Sequence, residues 1–479
     1  MTPSQWTGLA PLIGPAAAAV AVLLWISVRR ADRTTALLAG AGLVVSLWLL
    51  VGAWDVAPLR IGPLLVMDGY AVFFLALLYA TALAVLAITA AYRGIGGERK
   101  EELYLLLLLA TLGAAVLVAS THFASFFLGL ETLSIALYGM IAYYRRRDEG
   151  IEAGIKYLVL TGASSAILVF GMALVYAQTG TMEFRAIARA ATGMLPAVDP
   201  MVGAGLALLF AGVGFKLAVV PFHLWTPDVY AGAPAPVGAF IATVSKGGVF
   251  ALLLRLFLNL DDPGRAALFP VIGLVAAASM TVGNLLALFQ HNVKRILAYS
   301  SIAHLGYLLV ALLATSRLGV EAAAYYLAAY FATTVAAFGV VGLRSSDRDE
   351  AETLEAYRGL FWRRPGLSLV LTASMLSLAG IPLTGGFVAK FFVLSAGAGA
   401  ALWTLVVFLA VNSAIGLYYY LRVILVMIRA PEEPGGETVP ALPAAGGITL
   451  GILLVAIVWL GVLPGPLQRW IAGAVAGSF

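Results

Sequence analysis

Six lysines occur in this chain of 479 residues, and four of them, Lys156, Lys216, Lys246 and Lys390, lie inside long apolar segments. One carboxylate does the same: Glu131, in the stretch SFFLGLETLSIALYG. A charged side chain in hydrocarbon costs about 2.5–3.5 kcal/mol on insertion scales, so each such residue points to function by default. Arginine stays protonated and would serve a need for fixed positive charge. Lysine differs, because burial shifts its pKa readily and it can give its proton up. These residue types therefore suggest reversible protonation along a buried line, which needs no cofactor. A carboxylate about 4 Å from an ammonium is worth roughly 4 kcal/mol at an effective dielectric of 20. That is about three pKa units, and desolvation opposes it by a similar amount. With two opposed effects of similar size, a small displacement of Glu131 relative to Lys216 decides whether the lysine keeps its proton.

Each of these residues also has a plainer reading. Lys156 is only a turn into its helix, where a snorkelling side chain reaches the surface. Glu131 can serve as half of a structural ion pair between two helices. Arg255 lies near the outer end of its span and is expected to be an anchor. His304, in YSSIAHLGYLL, either bridges protons or makes a neutral helix contact. His223 sits beside a helix break, where capping of loop carbonyls is expected, and His122 and His291 fall near helix ends. No histidine pair has metal-ligand spacing on one helix face, and neither a metal site nor a cofactor-binding site is expected. For Lys216, Lys246 and Lys390 the structural reading is weakest, since each would require a dedicated buried partner.

The elements that position these groups follow from proline and apolar run length. Lys216 precedes Pro221 by five residues in FAGVGFKLAVVPFHLWTPDVYAGAPAP. Proline removes a backbone donor and clashes with the turn before it, so the helix is expected to break near Val220. Lys246 lies about ten residues into the next apolar segment, roughly 15 Å along a helix. A second break is expected at GIPLTGG, around Pro382, eight residues before Lys390. The chain is 62% hydrophobic and 11% charged, with mean hydropathy +0.98. A soluble domain carries about 25% charged residues, so an all-α polytopic membrane protein is expected. The absence of cysteine excludes thiolate-held iron–sulfur clusters and disulfides. The net charge of +5 is spread over short loops, which argues against a nucleic-acid partner.

Apolar runs of spanning length give about fourteen transmembrane helices. Two broken helices in comparable positions suggest two inverted five-helix repeats, spans four to eight against spans nine to thirteen. The expected divisions are a three-span segment at 1–100, repeats at 101–260 and 261–430, and a last span at 431–479. The parallel is imperfect, because Lys216 precedes its proline and Lys390 follows Pro382. The N-terminus has no positively charged region ahead of its first apolar run, so that run is expected to be a retained span. Residues from Leu467 onward are expected to form a short surface helix.

The strings FKLAVVPFHLWTPDVYAGAPAPV, HNVKRILAYSSIAHLGY and GIPLTGGFVAKF resemble the antiporter-like subunits of respiratory complex I over nearly the whole chain. Length, the lysine at position 390 and the expected lack of a long lateral helix are similar to one branch of these subunits in bacterial NADH-quinone oxidoreductase. The resemblance implies a translocase subunit in the bacterial inner membrane, with other membrane subunits of the complex and the lipid bilayer as partners. It implies that Glu131 and Lys216 are a coupled pair, Lys246 a central connecting lysine and Lys390 a terminal exchange residue. Lys156 matches a further lysine of the family. NADH, FMN, iron–sulfur clusters and quinone would belong to partner subunits. Two other classes compete: a subunit of a multi-subunit cation/proton antiporter or membrane-bound hydrogenase, and a stand-alone transporter using the helix breaks as a binding site.

Basic residues in the loops fall mostly on one side, with Arg145–Arg147 and Arg363–Arg364 among them. By the positive-inside rule that side is cytoplasmic, and both termini face the periplasm or exterior. A cysteine placed in the Arg145–Arg147 loop of this cysteine-free chain is expected to react with an impermeant reagent only from the cytoplasmic face. Labelling from outside in intact cells would reverse the orientation.

Overall fold

The computed structural model describes residues 1–92, 99–144, 147–192, 199–260, 262–346, 350–430 and 442–476. Arg145 and Arg146 lie outside the described residues, as does part of the 178–200 connection. Thirteen described helices are long and apolar enough to cross a membrane, and two shorter apolar helices add a fourteenth segment. The spans expected from apolar run length are therefore all present.

The first three spans are α1 (Pro3–Val28), α2 (Asp32–Val56) and α3 (Gly69–Ala91), with a hairpin of β1 (Leu59–Ile61) and β2 (Leu65–Met67) before the third. Helix α1 begins earlier than its apolar run, because Thr2 and Gln5 cap each other's backbone. Pro15 inside α1 leaves the carbonyl of Pro11 without its helical donor. The buried Tyr79 hydroxyl of α3 donates to that carbonyl at 2.8 Å, so the defect becomes a helix–helix bond.

Then come α4 (Glu101–Ala119), α5 (Phe123–Ile141), α6 (Asp148–Thr179) and a short α7 (Phe184–Thr192). The first broken helix is α8 (Pro200–Leu217) with α9 (Trp225–Gly232). The next span runs through α10 (Ala235–Phe240), a π-helical turn at Ile241–Ser245 and α11 (Lys246–Asn259). After α12 (Asp262–Leu288), α13 (Val293–Leu313) and α14 (Arg317–Arg344), a one-turn α15 (Leu360–Arg363) leads to the second broken helix. Its halves are α16 (Pro365–Ala379) and α17 (Gly385–Gly399). The chain closes with α18 (Trp403–Ile428), α19 (Ala444–Val462) and α20 (Gly465–Val475), the expected short terminal helix. The 10–11 span is buried throughout its apolar window, with α13 and α14 nearly so, whereas α1, α2, α6, α18 and α19 leave most of theirs uncovered. The core is thus a central spine of three spans, and the outer helices carry the apolar surface that faces lipid or neighbouring chains.

Both breaks use the same backbone device. Ala218 (φ 60°) and Gly380 (φ 84°) take the left-handed conformation. The next amides, of Val219 and Ile381, each reach back 3.0 Å to Gly214 and Leu376, the bonding of a helix C-terminal motif. The first helix therefore stops at Ala218, earlier than the expected Val220, and its proline follows the stop rather than making it. A second recurring pattern joins loops to helix starts. Phe123 N–H bonds Met182 O (2.9 Å) and Phe184 N–H bonds Thr121 O (2.9 Å), while Val293 N–H bonds Glu352 O (2.6 Å) and Leu354 N–H bonds His291 O (2.9 Å). His122 and Asn292 cap α5 and α13 at matching places.

Two buried ion clusters fasten the bundle. Arg255, expected as an outer anchor, is instead fully internal. Its guanidinium makes two bonds to Asp68 (2.8 and 2.9 Å) and one to Val118 O (3.1 Å), and it stacks 4.6 Å from the Tyr70 ring. At the opposite end of α11's neighbourhood, the loop 350–352 gathers four charges. Glu350 accepts from Lys294 (2.6 Å) and Arg147 (2.8 Å), and Glu352 from Arg147 (2.7 Å) and Lys294 (3.1 Å). Burial works to raise the Glu352 carboxyl, but Lys294 and Arg147 outweigh it and hold it below the usual range. Two positive and two negative charges make the knot neutral, which is what burial demands.

The second break depends on a close approach. A Cβ on Gly386 would stand 1.8 Å from the Ser377 carbonyl oxygen, so α16 and α17 meet only because this position has no side chain. Gly386→Ala is expected to destabilise the fold by about 2–3 kcal/mol, read as a lower melting temperature of the assembled complex or loss of the chain from it. A variant that assembles and melts normally would show that the two halves can shift apart.

Candidate functional site

The three mid-span lysines share one kind of setting. Lys216 is the second-last residue of α8, where the helix dipole favours a cation. Its Nζ donates to Ser134 Oγ at 2.6 Å and lies 5.4 Å from the Tyr157 ring centre. Lys246 follows directly on the π-helical turn; its Nζ donates to Ser301 Oγ at 2.7 Å and lies 5.5 Å from the Tyr230 ring. Lys390 donates to Ser413 Oγ at 2.8 Å and to Ala379 O at 2.9 Å, with the Tyr307 ring 5.4 Å away. Ala379 ends α16, so this carbonyl is one of those a helix leaves unpaired, and Lys390 from α17 satisfies it. All three lysines are buried, and for each the direct side-chain hydrogen-bond partner is a serine, with an aromatic face beside it.

Glu131 lies at mid-depth of α5, one turn before Ser134, as the sequence places it. It is not in ion-pair contact with Lys216. Its Oε1 accepts from Ser165 Oγ of α6 at 2.6 Å, while Lys216 rests on Ser134, one turn further along α5. Each half of the expected pair is therefore held by its own serine. Ser134 in turn donates to Leu130 O at 2.5 Å, which leaves its lone pairs to receive the lysine.

His304 is buried between two tyrosines, with Nδ1 2.5 Å from Tyr326 OH and Nε2 3.1 Å from Tyr420 OH. Tyr420 also meets Ser300, the neighbour of the serine that holds Lys246. The histidine thus stands among hydroxyls between the settings of Lys246 and Lys390, both of which draw on α13 through Ser301 and Tyr307. Lys156 is elsewhere. It is 43% exposed and pairs with Glu152 (2.6 Å) and Asp228 (3.1 Å), and Asp228 also binds Arg295 (2.6 Å). Pro221 and Pro382 lie in the linkers of the two breaks. Among the described residues no cluster of His, Asp and Glu is arranged to hold a metal.

The serines and tyrosines that meet the lysines were not singled out by sequence reasoning. Their one signal was spacing: Ser134 falls three residues after Glu131 and Ser301 three before His304, on shared helix faces. Serine is common in membrane helices, so spacing alone discriminates little.

Residues 120–416 match the family described as NADH:quinone oxidoreductase/Mrp antiporter, transmembrane. The chain belongs to this family. Among curated relatives, NADH-quinone oxidoreductase subunit N of Methylococcus capsulatus is 49% identical over 98% of this chain and 94% of its own length. Its counterpart in Ectopseudomonas mendocina is 47% identical over 99% and 97%. Among solved structures, a chain of respiratory complex I from Thermus thermophilus, with bound aureothin, superposes with a TM-score of 0.82 at 35% identity, over 96% of this chain and 98% of that one.

Glu131→Ala is expected to cut proton pumping by the assembled complex severely, and Glu131→Asp to retain much of it. Full pumping by the Ala variant would mean that the carboxylate has a structural role.

Proposed function

We propose that this chain is a proton-translocating membrane subunit of NADH-quinone oxidoreductase, itself without redox chemistry, moving protons driven by quinone reduction in other subunits. NADH, FMN, iron–sulfur clusters and quinone belong to those partners. The observation that carries the reading is the repeated setting of Lys216, Lys246 and Lys390, three buried amines each held by a serine rather than by an acid. A buried ammonium locked to a carboxylate would keep its proton; a serine hydroxyl accepts its hydrogen bond without adding a full charge. The family and the relatives named subunit N support the assignment to this enzyme.

In this reading Glu131 and Lys216 receive the proton, Lys246 passes it through the centre, and Lys390 exchanges it at the far end. His304 joins the centre to that end through its tyrosine contacts, and Lys156, with Asp228, supplies charge at the half-exposed edge. The hydroxyls of Thr161, Thr226 and Thr334 are buried without a hydrogen-bond partner. Such groups favour bound water, and water is what a proton needs to cross between amines. The matching stops at Ala218 and Gly380, and the matching loop bonds at residues 182–184 and 352–354, support two related repeats. Arg147, Lys294 and Arg295 gather at one end of the bundle, which fits a cytoplasmic face there and periplasmic termini.

Lys246 separates a titrating relay from fixed charge. Guanidinium stays protonated in proteins, so Lys246→Arg is expected to fail nearly as badly as Lys246→Ala, with the complex still assembled. Melting temperature and subunit content, measured beside pumping, exclude simple misfit. An arginine variant that assembles and pumps at the wild-type rate would leave Lys246 as an electrostatic fixture.

A further inference from the structure

The separation of Glu131 from Lys216 has its own hardware. Ser165, on α6, donates to the Glu131 carboxylate at 2.6 Å. Ser134, on α5, accepts from the Lys216 ammonium at 2.6 Å. Ser134 lies one turn from Glu131 on the same face of α5, so Lys216 has both partners within one turn of each other and is seated on the neutral one. Ser134 can only accept there, because its own hydroxyl proton is committed to Leu130 O. Ser165 is the complementary case, a donor facing an anion. Together the two hydroxyls satisfy both charges without letting them meet.

We propose that Ser165 is a positioning residue for proton translocation, holding the Glu131 carboxylate of α5 against α6 so that Lys216 rests on Ser134 instead of in an ion pair. This rests on the relay reading above. Without the Ser165 hydroxyl, the half-buried carboxylate has lost its donor, and the nearby ammonium is the group that replaces it. Lys216 then trades a neutral acceptor for an anion and stays engaged. A hydrogen bond to a charged group shifts such a balance by about tenfold or more, enough to turn a mostly open pair into a mostly closed one.

The test uses the whole complex in membrane vesicles, with pumping measured per NADH oxidised and chain content checked in the purified enzyme. Ser165→Ala is expected to lose most of its pumping while the complex assembles, and Ser165→Thr, which keeps the hydroxyl, to retain it. Because Ser165 acts through the carboxylate, Ser165→Ala combined with Glu131→Gln is expected to be no worse than Glu131→Gln alone. If Ser165→Ala pumps normally while Glu131→Gln is impaired, the positioning role is wrong and the relay stands. If the two losses multiply, Ser165 acts by packing, and the proposal fails. Normal pumping by Glu131→Gln would remove the relay reading itself, and this inference with it.

Discussion

A bilayer interior offers no solvent to an unpaired backbone group or to a charge, and the architecture of this chain is an answer to that constraint. A helix interrupted at mid-depth exposes carbonyls that must find donors. Here the left-handed turns at Ala218 and Gly380 recover part of the bonding, and side chains recover more, as where Trp225 Nε1 donates to Phe215 O at 2.9 Å. Lys390 fills the carbonyl of Ala379, and Lys216 occupies the last turn of the half-helix that carries it. At the second break the interruption and the amine thus satisfy each other. The same economy recurs at Pro15, whose missing donor is replaced by Tyr79.

Charge that need not move is treated differently. Asp68 with Arg255, and Glu350 and Glu352 with Arg147 and Lys294, are matched one acid to one base and bonded at close range. These clusters sit near the ends of spans and tie together segments distant in sequence. The loop 350–352 alone connects the starts of α6 and α13 with the junction of α9 and α10, where Glu350 accepts from the Ala235 amide at 2.8 Å. The three buried lysines differ, because each has a serine hydroxyl and not a carboxylate as its side-chain partner.

Much of this was readable in the sequence, because apolar run length, proline and intramembrane lysine each have a direct physical cost. The spans, both breaks, the depth of Glu131 and the internal position of Lys216, Lys246 and Lys390 followed from those costs. What did not follow were partners set by rotation of one helix against another. Arg255 read as an anchor because its partner, Asp68, lies far off in the chain. Lys156 gave no sign that Asp228 would meet it. The serines were invisible because a hydroxyl in a membrane helix is cheap and can satisfy itself on its own backbone, as Ser46, Thr89 and Thr111 do.

The π-helical turn at Ile241–Ser245 adds a last point. An α-helix turns about 100° per residue, and a π turn closes its bonds one residue later, so this span holds about one residue more than its height requires. Side chains after the turn are thereby indexed separately from those before it. Gly238 can present its bare face to Phe338 of α14, 2.8 Å from where a Cβ would stand, while Lys246 points to Ser301 on α13. An unbroken helix would couple these two orientations. The extra residue shifts the phase between them, so one continuous span meets both the packing of Gly238 on Phe338 and the aim of Lys246 at Ser301.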